Sequence, residues 1–190
     1  VSVRFCYLFF LFFFFALSTT VYPKWIKIMV LTILIPVIFV HNFGFNKTIK
    51  SQYKIVQSIV KASRFIPENA VVLPLNFSKN WLAGNYDNYL GIDKPMVILH
   101  NYEASTGYFP VHWNREKMPN TLLGNQNSIP KCLDWIGEKA HASYVIDYVF
   151  ILVDYIDEEL KCKETIENIV RQNYELIYSD AYCHLYTKKL

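Results

Sequence analysis

The chain has 190 residues, of which 53% are hydrophobic and 17% are aromatic. This content is higher than that of a typical soluble domain, so part of the chain is expected to lie in a membrane. The charged residues make up 18% and the formal net charge is +3, which excludes a strongly basic nucleic-acid-binding protein and an acidic disordered tail. We therefore expect the lipid bilayer, and no nucleic acid, among the partners.

Two uncharged apolar stretches begin the chain, at about residues 5–22 and 28–45. At about 1.5 Å per residue, a helix of either length crosses most of a bilayer core of about 30 Å. The sequence predicts two transmembrane helices in residues 1–45, with Pro36 inside the second. A cleaved signal peptide is the alternative for the first stretch, but Ala16-Leu-Ser18 matches a cleavage site poorly.

Lysines near the two stretches bear on membrane orientation. Two lysines and a tryptophan in the loop 23–27 favour the cytoplasmic side for that loop, which places residues 46–190 outside the cytoplasm. Three lysines between residues 47 and 54 favour the opposite orientation, in which a cytoplasmic regulatory domain is tethered by a helical hairpin. Because long domains follow the charge rule poorly, we expect an extracytoplasmic domain.

Residues 46–190 alternate between helical and strand patterns. The first predicted helix runs from residue 46 to before Pro67 and has Tyr53, Val56, Ile59 and Val60 on one face. Further helices are predicted over 81–90, over 132–136 and from Asp157 onward. Strands are predicted over 70–75, 96–100, 148–153, 174–178 and 182–186. Because helices separate the first three strands, the fold class is α/β: a small, mainly parallel three-layer domain. The last two strands form an antiparallel C-terminal hairpin.

A long loop of polar and aromatic residues, 101–130, follows the second predicted strand. Open α/β sheets bind ligands at the carboxyl ends of parallel strands, so the loop begins where a site is expected. The candidate ligand-binding residues are His100, Glu103, Tyr108, His112, Trp113 and Arg115. Tyrosine and tryptophan beside arginine fit a carbohydrate or phosphate site, but also a loop that covers the domain or touches the membrane surface.

Other chemical signatures are weak. The spacing of His100, Glu103 and His112 matches no zinc motif, and the sequence contains no phosphate-binding glycine loop and no Gly-x-Ser-x-Gly elbow. Asp87, Asp154 and Asp157 are interpreted as loop or helix-capping carboxylates rather than acid catalysts. The sequence therefore predicts no metal, no cofactor and no catalytic residue within this chain.

Three cysteines lie beyond the predicted membrane helices, at Cys132, Cys162 and Cys183. An odd number cannot pair completely within one domain. One disulfide in an exported domain and buried free thiols both remain open.

Several short motifs resemble the C-terminal end of bacterial multi-spanning membrane proteins. They are Asn101-Tyr-Glu-Ala, Gly107-Tyr-Phe-Pro, the strand Asp147-Tyr-Val-Phe and the hairpin segment Tyr174-Glu-Leu-Ile-Tyr. These proteins are similar to glycosyltransferases of the C superfamily, which use dolichyl- or polyprenyl-phosphate-sugar donors. The family's catalytic acids lie in an early external loop that has no counterpart in this sequence, so the resemblance supplies no catalytic residue here.

The resemblance implies that the chain is the C-terminal part of a glycosyltransferase-like protein of the bacterial inner membrane. The first residue, Val1, agrees with this expectation. The periplasmic or extracellular tail domain would shape the binding of a polyprenyl-phosphate-sugar or a glycan acceptor, and further transmembrane helices and the catalytic residues would lie upstream. The alternative is a complete small membrane-anchored α/β domain that binds a ligand or partner without chemistry.

Overall fold

The computed structural model describes residues 2–76, 83–120, 123, 135–136, 140, 143–152 and 163–189. Of residues 2–7, 102 and 163 it describes the backbone alone. The chain divides into two compact units, Val1–Lys50 and Ser51–Leu190.

Helices form the first unit. Helix α1 comprises Ser2–Ser18, and helix α2 comprises Lys24–Ser63 and belongs to both units. Every side chain in residues 28–51 is exposed, although residues 28–45 carry no charge. This segment is apolar on all sides, and none of its side chains is buried against the rest of the chain. Such a helix is typical of a segment that faces lipid.

Among the described helices, α2 is long and apolar enough to cross a membrane, by its length and composition. The described apolar part of α1, Leu8–Ser18, is shorter than a full span. The structure therefore shows one long apolar N-terminal helix of the two that the sequence predicts.

The apolar stretch 28–45 and the helix predicted after it form a single helix, α2. In its C-terminal part the buried apolar residues are Ile55, Ile59 and Ala62, which follow helical i, i+4, i+7 spacing. Of the four residues predicted to share one face of this helix, Ile59 is fully buried and Tyr53 is 59% exposed. The polar hydroxyl keeps this residue at the surface, where it accepts a hydrogen bond from Gln57 Nε2 at 2.8 Å.

The second unit contains a five-stranded mixed sheet in the order β2-β1-β3-β5-β4. The strands are β1 Val71–Asn76, β2 Val97–Ile98, β3 Tyr148–Leu152, β4 Tyr174–Ser179 and β5 Cys183–Lys188. Strand β1 pairs in parallel with β2 and β3, whereas β5 pairs antiparallel with β3 and β4. The α/β class and the antiparallel C-terminal hairpin are confirmed. Strand β2 is shorter than the predicted 96–100.

The helices of the second unit are short apart from α2 and α4. Helix α3 comprises Tyr102–Ser105, helix α4 comprises Lys163–Asn173, and two short 3₁₀ helices comprise Tyr86–Gly91 and Arg115–Lys117. The first 3₁₀ helix replaces the described part of the helix predicted over 81–90. Residues 132–134 of the helix predicted over 132–136 lie outside the described residues. Residues 157–162, which include Cys162, lie outside them as well.

Alternate residues of the central strands belong to two separate apolar clusters, as strand geometry requires. Val72, Phe150 and Leu152 pack with Ile55 and Ile59 of α2. A second cluster contains Leu73, Leu75, Val149 and Ile151 of the strands together with Ile166 and Val170 of α4. The core of the second unit is therefore built on the sheet, with α2 and α4 contributing to different clusters.

A group of polar contacts, here named the Asp180 cluster, joins α2 to the C-terminal hairpin. Asp180 Oδ2 accepts hydrogen bonds from Ser58 Oγ of α2 and from Tyr178 OH, the latter at 2.7 Å. Asp180 Oδ1 accepts from the backbone N–H groups of Tyr182 and Cys183 at 2.8 and 3.0 Å. Cys183 is fully buried, and its Sγ lies 3.2 Å from Ser58 Oγ.

The Asp180 cluster shifts two pKa values. Burial alone would raise the pKa of Asp180, but the hydrogen bonds donated to its carboxylate outweigh that effect and lower the pKa below the ordinary 3.8. Burial, together with the hydrogen bond to the Asp180 carboxylate, raises the pKa of Tyr178 to about 12. The folded state therefore stabilises an ionised Asp180 and a neutral Tyr178.

Candidate functional site

Polar side chains converge where the parallel strands β1 and β2 end. Asn76 is the last residue of β1, and His100 follows β2. The Nδ2 group of Asn76 donates to the carbonyl of Ala83 at 2.7 Å, which holds the chain near the end of the strand. The 3₁₀ helix Tyr86–Gly91 places Asp87 beside His100.

The centre of the site is a pair formed by His100 and Asp87. Nδ1 of His100 lies 2.7 Å from Oδ2 of Asp87. The Asp87 side chain is 1% exposed and the His100 side chain is 19% exposed. With Asp87 Oδ2 as the acceptor, the pair holds a proton of His100 on Nδ1 and sets the orientation of the ring.

The second carboxylate oxygen of Asp87 has no hydrogen-bond partner among the described residues. A buried polar atom without a partner costs about 1–3 kcal/mol and is uncommon in folded proteins. Such an atom beside an oriented histidine at the end of parallel strands marks this edge as a place for a polar ligand.

The 3₁₀ helix that carries Asp87 is held from two sides. Tyr86 OH donates to Oε1 of Gln52 on α2 at 2.6 Å. Leu90 is fully buried in the cluster that contains Ile59. Asp87 is therefore placed by packing and by a side-chain hydrogen bond, as a rigid site requires.

The loop after His100 is folded by its own side chains. Asn101 caps α3, with Oδ1 accepting from the N–H of Ala104 at 3.0 Å. The backbone N–H of Trp113 donates to the carbonyl of Ala104 at 3.3 Å, and its indole N–H points to Ser105 Oγ at 3.4 Å. Trp113 is partly buried against the cluster that contains Leu73. The tryptophan therefore fastens the loop to the domain.

The structure gives the remaining predicted site residues different roles. Arg115 Nη1 donates to the carbonyl of Leu123 at 2.7 Å, so its guanidinium holds the loop. Glu103, Tyr108 and His112 are exposed, and Tyr108 is 89% exposed. Three exposed side chains of this kind are available to a ligand or a surface, whereas Trp113 and Arg115 act within the loop.

Sequence reasoning missed the role of Asp87, which it interpreted as a loop or capping residue. The available signal was the spacing of Ala83, Asp87 and Leu90, which are all buried. A carboxylate at i, i+4, i+7 spacing with two apolar residues lies on the inward face of a helical segment and needs a partner. Asp154 and Asp157 lie outside the described residues.

Metal binding has no geometric support in the described part of the chain. No three His, Cys, Asp or Glu residues there lie close enough to hold an ion. The pair of His100 and Asp87 supplies two side chains, fewer than structural or catalytic zinc sites use.

Replacing Asp87 by alanine is expected to release the His100 ring from its single tautomer. Without the carboxylate acceptor, the Nε2-protonated form becomes populated alongside the Nδ1-protonated form. Long-range ¹H–¹⁵N NMR of the imidazole reports the two nitrogens separately. An unchanged Nδ1-protonated spectrum in Asp87→Ala would show that Asp87 does not orient His100, and Asp93→Ala, at an exposed position, is the matched control.

Comparison of the chain with protein-family models, with curated proteins and with solved structures found no match.

Proposed function

We propose that this chain is the membrane-anchored tail of a glycosyltransferase-like integral membrane protein. In this proposal, residues 5–22 and 28–45 both span the bilayer, and residues 46–190 form a three-layer α/β domain on the periplasmic or extracellular side of a bacterial inner membrane. The domain shapes the binding of a polyprenyl-phosphate-sugar or of the glycan acceptor. Catalytic residues and further helices belong to other parts of the protein.

The observation that carries the proposal is the combination of two features. Residues 28–45 of α2 carry no charge and are exposed on every side, which in water would cost about 25 cal/mol for each Å² of apolar surface. The folded unit that follows presents a buried carboxylate and a histidine at the carboxyl ends of parallel strands. A lipid anchor joined to a polar site suits a ligand with a lipid part and a polar part.

The proposed ligand follows from the side chains at this edge. Asp87 and His100 provide hydrogen-bonding groups, while Tyr108 provides an exposed aromatic face. Sugar hydroxyls form hydrogen bonds with Asp87 and His100, and the C–H face of a pyranose ring stacks on Tyr108. The assignment to a sugar-transferring protein also depends on the resemblance of the four short motifs described above.

The test uses the full chain in lipid vesicles that contain polyprenyl-phosphate-mannose or polyprenyl phosphate alone. The double variant Tyr108→Ala/His112→Ala is expected to weaken binding of the mannose lipid about tenfold. Because both side chains are exposed, the free energy of unfolding should change by less than about 0.5 kcal/mol. Binding is measured after the vesicles are dissolved in mild detergent, as the amount of radiolabelled lipid that stays with the immobilised chain.

Tyr53→Ala provides the matched control, since Tyr53 is also an exposed tyrosine but lies on α2. Unchanged binding of the mannose lipid by the double variant would show that Tyr108 and His112 do not contribute to the binding site. Equal binding of polyprenyl phosphate and its mannose ester would contradict recognition of the sugar and leave a membrane-anchored domain without that role.

A further inference from the structure

A second polar cavity lies at the other end of the sheet from His100. It is lined by Ile146, which precedes β3, by Tyr174 at the start of β4 and by Lys188 at the end of β5, together with Trp135, Tyr144 and Asn173. The cavity has a volume of about 330 Å³. Small-molecule sites measure roughly 300–1,000 Å³, so this one accommodates a single sugar ring rather than a chain of rings.

The floor of the cavity is rigid and partly polar. Trp135 and Tyr174 are 2% and 5% exposed. The indole N–H of Trp135 donates to Tyr174 OH at 3.3 Å, and Tyr174 OH donates to the carbonyl of Ile146 at 3.4 Å. These contacts fix two aromatic side chains in place, so the cavity does not close by their rotation.

The rim of the cavity combines an aromatic ring with positive charge. Tyr144 is 39% exposed, which leaves part of its side chain accessible. Lys189 Nζ donates to the carbonyls of Arg171 and Gln172 at 2.6 and 3.3 Å, so its charge offsets the negative C-terminal end of α4. The exposed Lys188 then adds a further positive charge to the rim.

The balance of lining charges differs between this cavity and its neighbour. A second cavity of about 540 Å³ shares Lys188 and Lys189 but also contains Glu68 and Asp147. The described lining of the first cavity contains neither aspartate nor glutamate. An anionic group therefore favours the first cavity, where no carboxylate of the described lining opposes the charge of Lys188.

We propose that this cavity binds a monosaccharide that carries an anionic group, such as a sugar phosphate. Tyr144 stacks on the C–H face of the sugar ring, and the amides of Gln172 and Asn173 lie on the lining for its hydroxyls. Lys188 pairs with the anion. This site is separate from the pair of His100 and Asp87 and does not depend on the proposed role of that edge.

The experiment is calorimetric titration of the full chain in detergent micelles with glucose 1-phosphate, with glucose and with inorganic phosphate. Glucose 1-phosphate is expected to bind more tightly than either of the other two probes. Lys188→Gln and Tyr144→Ala should each weaken its binding at least about tenfold, because one removes the charge-assisted contact and the other removes the stacking face.

Lys61→Gln is the matched control for charge, since Lys61 is an exposed lysine on α2, and it should leave binding unchanged. His100→Asn should also leave it unchanged, which separates this site from the one at the carboxyl edge. The proposal is overturned if glucose 1-phosphate does not bind, if inorganic phosphate binds equally well, or if Lys188→Gln has no effect. Tyr144→Phe keeps the ring and should retain binding, and an unchanged circular dichroism spectrum of Tyr144→Ala shows that its loss of binding is not a folding defect.

Discussion

Replacing Asp180 by alanine is expected to lower the free energy of unfolding of the α/β unit by about 2–4 kcal/mol. The substitution removes one carboxylate that accepts four hydrogen bonds, two of them from Ser58 and Tyr178. Ser58 is 3% exposed, so its hydroxyl cannot find water in place of the lost acceptor. The contact between α2 and the hairpin would then rest on apolar packing and on the weaker contact between Ser58 Oγ and Cys183 Sγ.

Urea titration of the full chain in detergent, followed by tryptophan fluorescence, measures this loss. Glu175→Ala is the control, because Glu175 is an exposed carboxylate on strand β4 of the same hairpin and should change stability by less than about 0.5 kcal/mol. Equal stability of Asp180→Ala and Glu175→Ala would show that the Asp180 cluster does not hold α2 to the sheet.

The same cluster predicts how stability depends on pH. The pKa of Asp180 is lowered by folding, so its contribution is present above the unfolded value of about 3.9 and is lost as pH falls through the lower folded value. The pKa of Tyr178 is raised to about 12, so its contribution is present below about 10 and is lost as pH rises from there to about 12. Stability should therefore fall at both extremes, and Asp180→Ala should flatten the acid side.

Introducing arginine at two positions of α2, Leu34→Arg and Ile38→Arg, is expected to abolish the membrane crossing of this helix. Both side chains are exposed and lie in the middle of the uncharged stretch. An arginine at the centre of a membrane helix costs about 2.5–3.5 kcal/mol on insertion scales, and two on one helix face add to this. The α/β unit should then leave the membrane or move to the side of the loop 23–27.

Protease protection in sealed vesicles distinguishes the original side of the α/β unit from the new one. The matched control places alanine at the same two positions, as Leu34→Ala and Ile38→Ala, which leaves the stretch uncharged and should keep the original side. A Leu34→Arg/Ile38→Arg chain with unaltered protection and membrane retention would mean that α2 does not cross the bilayer.

The strands of the α/β unit could be predicted because their signal is local. Residues 71–76 and 148–152 are short runs of apolar and β-branched residues that are buried on both faces. The hairpin of β4 and β5 also follows from two aromatic runs separated by a short polar turn. Strand β2 was overestimated because only Val97 and Ile98 lie in register with β1, and the hydrogen bond from Leu99 N–H to the Val72 carbonyl at 2.9 Å is followed by His100 outside the strand.

The continuity of α2 and the partner of His100 could not be read from the sequence in the same way. A change of composition at residue 46 resembles an element boundary, but backbone hydrogen bonding continues through it to Ser63. The contact between Asp87 and His100 joins two elements across thirteen residues, and its existence depends on the position of the 3₁₀ helix against α2. Tertiary packing of this kind has no local pattern in the chain.

The most direct test of the central claim, that α2 anchors the α/β unit in a membrane, is alkaline carbonate extraction of the unsubstituted chain from vesicles. Carbonate strips proteins held by surface charge but leaves proteins that span the hydrocarbon core. If α2 spans the hydrocarbon core, the chain remains in the lipid pellet. Quantitative release into the supernatant, with the α/β unit still folded, would contradict it.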